Sequence, residues 1–313
     1  MNYLLDSDQE ELLDGLGRLL ANESGAERAM TLGLDAYDTA LHDLLVETGF
    51  LHVGRGPETG PLEAALVVEA IAASGGGVAA AAAALVAPAL LDDDPTGPVA
   101  LADRAGSSLV RFGSVASTVL ALDGDRAIVV DVEPGEIEPV RSTFGIPVGR
   151  VPAGLWDRGR DLGPGSGDVL SRWWRTAIAV EQVGLLSEAL RITVEHVNTR
   201  EQFGHPIAAF QAVRHRLAEC AVLVEGARWL ARETAAQGAP AEAAAVACTH
   251  ATVAAKQVSA ETHQLSGAIG FTKEYPLHVF TMKAQGLTLE LGGLGAHARA
   301  VTALRWHATD RTT

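Results

Sequence analysis

Cysteine is nearly absent: Cys220 and Cys248 are the two in 313 residues. Both lie in helix-patterned, alanine-rich stretches, which argues against a disulfide-stapled extracellular fold. They read as reduced packing residues of a cytoplasmic protein. Positive charge is also short, with 24 Lys and Arg against 39 Asp and Glu and a formal charge of -15. A field of that sign makes DNA, RNA and anionic membrane poor long-range partners, although a few local arginines can still hold a phosphorylated cofactor. His196, His205 and His215 are close in sequence but lack acidic partners at metal-ligand spacing, so no metal site is expected. The opening "MNYLLDSDQEELLDGL" is acidic where a signal peptide would be basic. One membrane-length stretch without charge exists, "AIAASGGGVAAAAAALVAPALL" at 70–91. It is mostly alanine and glycine and is broken by Pro88, so it reads as a buried helix pair with a glycine joint.

What is present is an ordinary globular composition, 48% apolar and 20% charged, on a chain long enough for a sizeable core. Three blocks divide it. Residues 1–95 read as helices: Leu12, Leu13, Leu16, Leu19 and Leu20 share one face behind Ser7 or Asp8 as a cap, a second helix covers roughly 35–48, and a third starts at Pro61. Residues 96–160 change character. In "STVLALDGDRAIVVDV", Asp123-Gly124 joins two apolar runs as a hairpin, and "PVALAD", "SSLVRFG" and "GIPVGRV" complete a small β-domain closed by the linker "DRGRDLGPGSGD". Residues 161–313 are helical in four pieces, the first with Val183, Leu186, Leu190, Val194 and Val197 at spacings of three and four. The order describes an α+β chain with an N-terminal helical domain, a small central β-domain and a C-terminal antiparallel four-helix bundle.

Between the first two C-terminal helices lies "NTREQFGHPIAAFQAVRHRLAEC", residues 198–220. A plain helix connection needs only the glycine. Here a guanidinium, an amide and an aromatic ring crowd around it, a set suited to something flat and anionic. "REQFGHPIAAFQAVRHRLAE" resembles the flavin-contacting turn of acyl-CoA dehydrogenases, R-x-x-F-G-x-x-I-x-x-x-Q followed by L-A-(D/E). "HQLSGAIGFTKEYPLHVF", residues 263–280, is similar to that family's Q-x-x-G-G-x-G-(F/Y)-x-x-(E/D)-(Y/F)-P. The resemblance covers nearly the whole chain and implies FAD as cofactor, an acyl-CoA thioester as substrate and an electron-transfer flavoprotein as electron acceptor. It implies that Arg200 pairs with the FAD pyrophosphate and that Gln202 and Phe203 contact the adenosine-diphosphate half. Gln211 would stand behind them, and Gln264, Gly267 and Ala268 would form the second contacting stretch. In the family these two motifs reach across an interface to the neighbouring subunit's FAD. The blander alternative makes Arg200 a surface ion-pair former and Phe203 a core plug.

The resemblance also shows what is missing. The family's base lies fifteen residues beyond the proline of the Y-P motif; from Pro276 that count reaches Leu291, and Glu290 is one position away. On a helix one step turns a side chain by about 100°, so Glu290 is a weak candidate base and no catalytic residue is assigned. Some members place the base on the preceding helix, where the count falls on Trp174, which cannot take a proton from carbon; Glu181, further along, reads as a plain helix residue. Neither the T-E-x-x-x-G-S-D loop nor the W-x-T-N loop over the flavin ring is found, Ser107 and Ser108 being faint echoes. The pattern is similar to the base-lacking short subunit of heteromeric α2β2 actinobacterial steroid side-chain acyl-CoA dehydrogenases. It implies a half-site completed by a base-carrying partner subunit. Two other readings stay open: a self-sufficient homomeric dehydrogenase using Glu290, and a non-catalytic member that binds partners or CoA thioesters. The small residues along 64–91 lead us to expect room for a bulky acyl chain. Arg214, Arg216, Lys256, Lys273 and Lys283 are expected on solvated faces, where one could meet a CoA phosphate.

Overall fold

Asp6, one residue before the expected caps, starts the first helix of the computed structural model, which describes residues 5–306 except 34 and 57. Its carboxylate accepts from the amides of Asp8 and Gln9, and Gln9 returns a bond to the Asp6 amide, so Ser7 is already the first residue of α1 (Ser7–Glu23). A short α2 (Ala26–Leu32) follows. The expected 35–48 helix shortens to α3 (Thr39–Glu47), because Asp38 sits in a non-helical conformation and its side chain caps the amide of Leu41. Pro61 begins α4 (Pro61–Ala73) as expected, with the Glu63 carboxylate accepting from the Gly60 amide. Gly75, at φ 80°, then turns the chain into a helical run through residue 89 whose middle, Ala82–Val86, widens to a π-turn.

The β-region holds two sheets. The strands β1 (Val99–Asp103), β2 (Leu109–Arg111), β3 (Thr118–Asp123), β4 (Arg126–Asp131), β5 (Glu138–Val140), β6 (Val148–Arg150) and β7 (Arg160–Pro164) are sorted as β1-β3-β4-β7 and β2-β6-β5. β1 runs parallel to β3; the other pairings are antiparallel. The hairpin forms with Asp123 opposite Arg126, which makes Gly124-Asp125 the two-residue loop and puts the left-handed glycine first in it. The supposed linker contributes β7, paired to β4: its proline and glycine, Pro164 and Gly163, are tolerated because β7 is an edge strand.

The C-terminal region is built on α5 (Ser166–Thr199), α6 (Gln211–Ala236), α7 (Ala241–Ser266), α8 (Leu277–Leu287) and α9 (Gly293–Trp306). Thirty-four residues long, α5 is buried around most of its circumference because α4, α6, α7 and α8 all pack on it. Close approach is the use made of its small residues. A Cβ on Gly184 would stand 2.3 Å from the Glu69 carbonyl oxygen and 2.8 Å from Ala72 Cβ. The expected fourth helix is two helices. Leu291 (φ 50°), Gly292 (φ 80°) and Gly293 (φ 70°) take left-handed backbone and break the chain between α8 and α9. Cys220 and Cys248 are buried free thiols, and burial pushes the Cys220 thiol up to about 11 and the Cys248 thiol up to about 12. No helix among the described residues is long and apolar enough to cross a membrane.

Candidate functional site

Short connections make α5, α6 and α7 run antiparallel in succession, so the ends of α5 and α7 and the start of α6 meet at one end of the bundle. An ion pair from Arg216 Nε on α6 to Glu261 on α7 ties that end together. Tyr275 adds a second tie, its hydroxyl donating to the Ile192 carbonyl at 3.3 Å while its ring meets His196 edge-on at 5.7 Å. Here the chain between α5 and α6 forms a hairpin of β8 (Glu201–Gln202) and β9 (His205–Pro206), with Gln202 opposite His205. The turn residues Phe203 (φ 56°) and Gly204 (φ 81°) both lie in the left-handed region, the backbone of a tight two-residue turn. Glycine adopts it freely, whereas a phenylalanine there costs about 1–2 kcal/mol. The turn presents Phe203 to solvent at 89% exposure, edge-on to the half-exposed Phe210. α6 begins at Gln211 rather than near Pro206, since 206–210 is spent on β9 and a single 3-10 turn.

Each predicted contact residue lies at this end. Arg200, Gln202, Phe203, Gln211, Gln264, Gly267 and Ala268 are all exposed. No hydrogen bond or ion pair is made to the Arg200 guanidinium among the described residues. Gln202 donates to the carbonyl of Glu201, its own neighbour, at 2.7 Å. The N-terminus of α6 has no side-chain cap and no acidic residue in its first turn. A long helix that starts uncapped beside a free guanidinium presents amide donors and positive charge together, which is the chemistry a phosphate needs. The turn Gly267–Phe271 adds Ile269 and Phe271, exposed by 42% and 77%. The donor set therefore fits the dinucleotide half of FAD.

The second part of the site is interior. Arg111, on β2, sends Nη1 and Nη2 to the two carboxylate oxygens of Glu181 on α5 at 2.8 and 2.9 Å. Its Nε donates to Glu290 Oε1 at 2.6 Å. The remaining oxygen of Glu290 accepts from the indole nitrogen of Trp174. All three charged side chains are at most 13% exposed. Burial works against the Arg111 charge, but Glu181 and Glu290 outweigh it and hold the guanidinium more firmly protonated than usual. For Glu181 burial raises the carboxyl above its ordinary range, with Arg111 opposing. Lys283 is not on a solvated face. Its Nζ is buried, donates to the Gly75 carbonyl at 2.7 Å, and is pushed down to about 8 by burial, with Glu181 and Asp38 pulling the other way.

Sequence reasoning named Trp174, Leu291, Glu290 and Glu181 one by one around a missing base. The structure brings Trp174, Glu290 and Glu181 together through Arg111, a residue that the pattern gave no reason to single out: one arginine in a short strand carries no periodic or spacing signal. Leu291 lies beside Glu290 at the left-handed break. Between this turn and the β-region opens a cleft of about 400 Å³, lined among others by Leu101, Phe144, Trp174 and Leu291. Asp103, Ser107, Arg141, Ser142 and Thr143 supply its polar edge, so Ser107 of the faint echo does face the cleft. No cluster of His, Cys, Asp and Glu able to hold a metal is present among the described residues.

An uncapped, aromatic-edged grip at one end of a helical bundle and a cleft between that bundle and a small β-region define a class. Residues 172–304 match the family model for the C-terminal domain of acyl-CoA dehydrogenases. Among particular proteins, it is 27% identical over 307 residues to the acyl-CoA dehydrogenase IpdE2 of Mycolicibacterium smegmatis, covering 91% of this chain and 95% of that one. It is 34% identical over 195 residues to the acyl-CoA dehydrogenase FadE34 of Mycobacterium tuberculosis. That match spans 59% of this chain and 27% of the longer protein. The ChsE4-ChsE5 complex from Mycobacterium tuberculosis contains a chain of the same fold, with a TM-score of 0.80, 22% identity, and coverage of 98% of this chain and 99% of that one.

Proposed function

We propose that this chain is one subunit of an FAD-dependent acyl-CoA dehydrogenase, in which it completes the FAD site of a partner subunit that carries the catalytic glutamate. The observation that carries the reading is the opposite state of the two parts of the site. Every dinucleotide-contact residue stands exposed and turned outward. The one carboxylate beside the base position has both oxygens engaged, by Arg111 and by Trp174. A carboxylate so held has no oxygen free to meet the α-carbon of a substrate.

In this assignment Arg200 meets the pyrophosphate with its planar fork, aided by the amides at the start of α6. Gln202 and Phe203 pack on the adenosine-diphosphate half, Gln211 stands behind, and the backbone at Gly267 and Ala268 approaches closely because no large side chain intervenes. Held by these residues, FAD would supply a hydride acceptor for α,β-dehydrogenation of the thioester, with the partner's carboxylate as the base for the α-proton. An electron-transfer flavoprotein would be the electron acceptor. The heteromeric likeness seen in the sequence and the two-component ChsE4-ChsE5 neighbour support an α2β2 assembly, and the same resemblance suggests a steroid side chain as the acyl group. Purification with a co-expressed dehydrogenase partner tests the reading. About one FAD per two chains supports it, and one per chain contradicts it.

The 400 Å³ cleft favours a second reading, in which the chain seats its own flavin and Glu290 leaves Arg111 to act as base. Protein expressed alone would then be yellow and would oxidise thioesters unaided.

A further inference from the structure

The cleft of about 400 Å³ between the β-region and the α8–α9 break changes chemistry from its inner side to its mouth. Its walls are apolar: Leu101 and Val110 from the two sheets, Phe144 and Ile146 from the chain before β6, Trp174 from α5 and Leu291 from the break. Phe144 leans on α8 with no side chain between, since a Cβ on Gly286 would stand 3.0 Å from Phe144 Cβ. On the inner side Arg111 spends its nitrogens on Glu181 and Glu290, and Trp174 spends its indole proton on Glu290. Nothing there is left to hold an anion or to move a proton. The mouth is different. Arg141 is exposed, and its guanidinium has no hydrogen-bond or ion-pair partner among the described residues. Ser107 Oγ accepts from the Leu109 amide at 3.0 Å and Ser142 Oγ from the Phe144 amide at 3.1 Å, which leaves both hydroxyl protons to donate. The acid on this edge, Asp103, is drawn into its own turn, where it accepts from the Ala105 amide at 3.0 Å. The room expected beside the small residues of 64–91 lies elsewhere: the cavity bordered by Val68, Ile71, Ala72 and Gly76 holds about 30 Å³.

An apolar body fits these walls and a single anionic group fits the mouth. A carboxylate suits it better than a nucleotide headgroup. One unpaired guanidinium on a chain of formal charge -15 offsets one negative charge, not the several carried by a CoA. We propose that this cleft is a non-reacting binding site for a free carboxylic acid with an apolar body, its carboxylate held by Arg141 and the neighbouring hydroxyls. The site goes beyond the half-site and rests on it in one respect, because a flavin of the chain's own would fill the same space. With Glu290 engaged on both oxygens, the acid is bound and released unchanged. The subunit then serves as a receptor for the acid beside a partner that processes the thioester.

The test titrates the full chain with decanoate, octanoate, decanol and decanoyl-CoA, with affinities read by calorimetry. A single decanoate per chain is expected. It should bind roughly tenfold or more tighter than octanoate, because each of the two extra methylenes raises affinity roughly fourfold when buried. Arg141→Ala should weaken decanoate roughly tenfold while leaving decanol affinity and the melting temperature in place, and Arg141→Lys should recover most of the loss. Decanoyl-CoA should bind no more tightly than decanoate. A wild-type chain that does not bind decanoate overturns the proposal without needing any variant. An Arg141→Ala chain that binds it equally well overturns it too, and tighter binding of decanoyl-CoA overturns it by assigning the cleft to the thioester. Flavin absorbance of the same sample separates this site from the half-site. A colourless chain that ignores decanoate refutes the receptor alone. A chain carrying its own flavin refutes the half-site, and it refutes the receptor as well unless decanoate still binds in an Arg141-dependent way.

Discussion

The two ends of the site are built on opposite principles. At the bundle end, Arg200, Gln202, Phe203 and Gln264 face solvent and the start of α6 lacks a cap; at the centre, Arg111, Glu181, Glu290 and Trp174 satisfy one another away from water. Groups left unsatisfied in solvent cost the fold little and remain available to a ligand. Groups satisfied inside contribute to the fold and are unavailable for chemistry. The contrast teaches where to look for each effect: damage to the centre should appear as lost stability, damage to the end as lost binding.

The largest effect should come from Arg111→Ala, which leaves two buried carboxylates facing each other. A loss of about 3–5 kcal/mol is expected in urea denaturation. A loss below 1 kcal/mol would mean that the centre is far wetter than it looks and would blur the comparison. Next is Arg200→Ala. Flavin retention by the assembled complex should weaken by about 1.5–3 kcal/mol, roughly tenfold or more, while the denaturation midpoint of the isolated chain stays put. Unchanged retention would make the turn merely structural.

A pH measurement sharpens the interior side. His297 on α9 is buried, and burial, with the nearby Arg175 charge, pushes its imidazole down to about 4 from 6.5. The unfolded chain therefore takes up a proton near pH 6.5 that the folded chain refuses until about pH 4. Stability tied to His297 is fully present above pH 6.5 and is lost as pH falls through that window. Relative to His297→Leu, the wild type should lose about 2 kcal/mol more between pH 7 and pH 4.5, measured by thermal melts at fixed buffer strength. Parallel curves would show that the imidazole already exchanges protons freely. The smallest stability effect belongs to the outer end. Phe203→Asn relieves left-handed strain but gives up the edge contact with Phe210. Stability should move by less than about 0.5 kcal/mol while flavin retention falls, a dissociation of the two readouts that no central substitution can mimic.

Helices that bury an apolar stripe were legible, as were Pro61 as a helix start and the hairpin at Asp123–Arg126, because each depends on neighbours along the chain. Exact helix starts were less so. Asp6 and Asp38 win their caps through which carboxylate reaches which amide, and β7 emerges from a glycine-rich stretch because β4 offers it an edge. Lys283 and Glu181 were misread as ordinary surface or helix residues. Their surroundings come from β2, α4 and the α8–α9 break, all distant in sequence.

The sequence by itself determined the order of helical and β regions, the absence of a disulfide framework, and the residues of the tight turn between α5 and α6, since periodicity, composition and turn chemistry act over a few residues. Only the tertiary structure decided that Arg111 would meet Glu181 and Glu290. That outcome depends on side chains 70 and 179 positions away being carried into reach by packing, and electrostatics rewards only groups that have already been brought together.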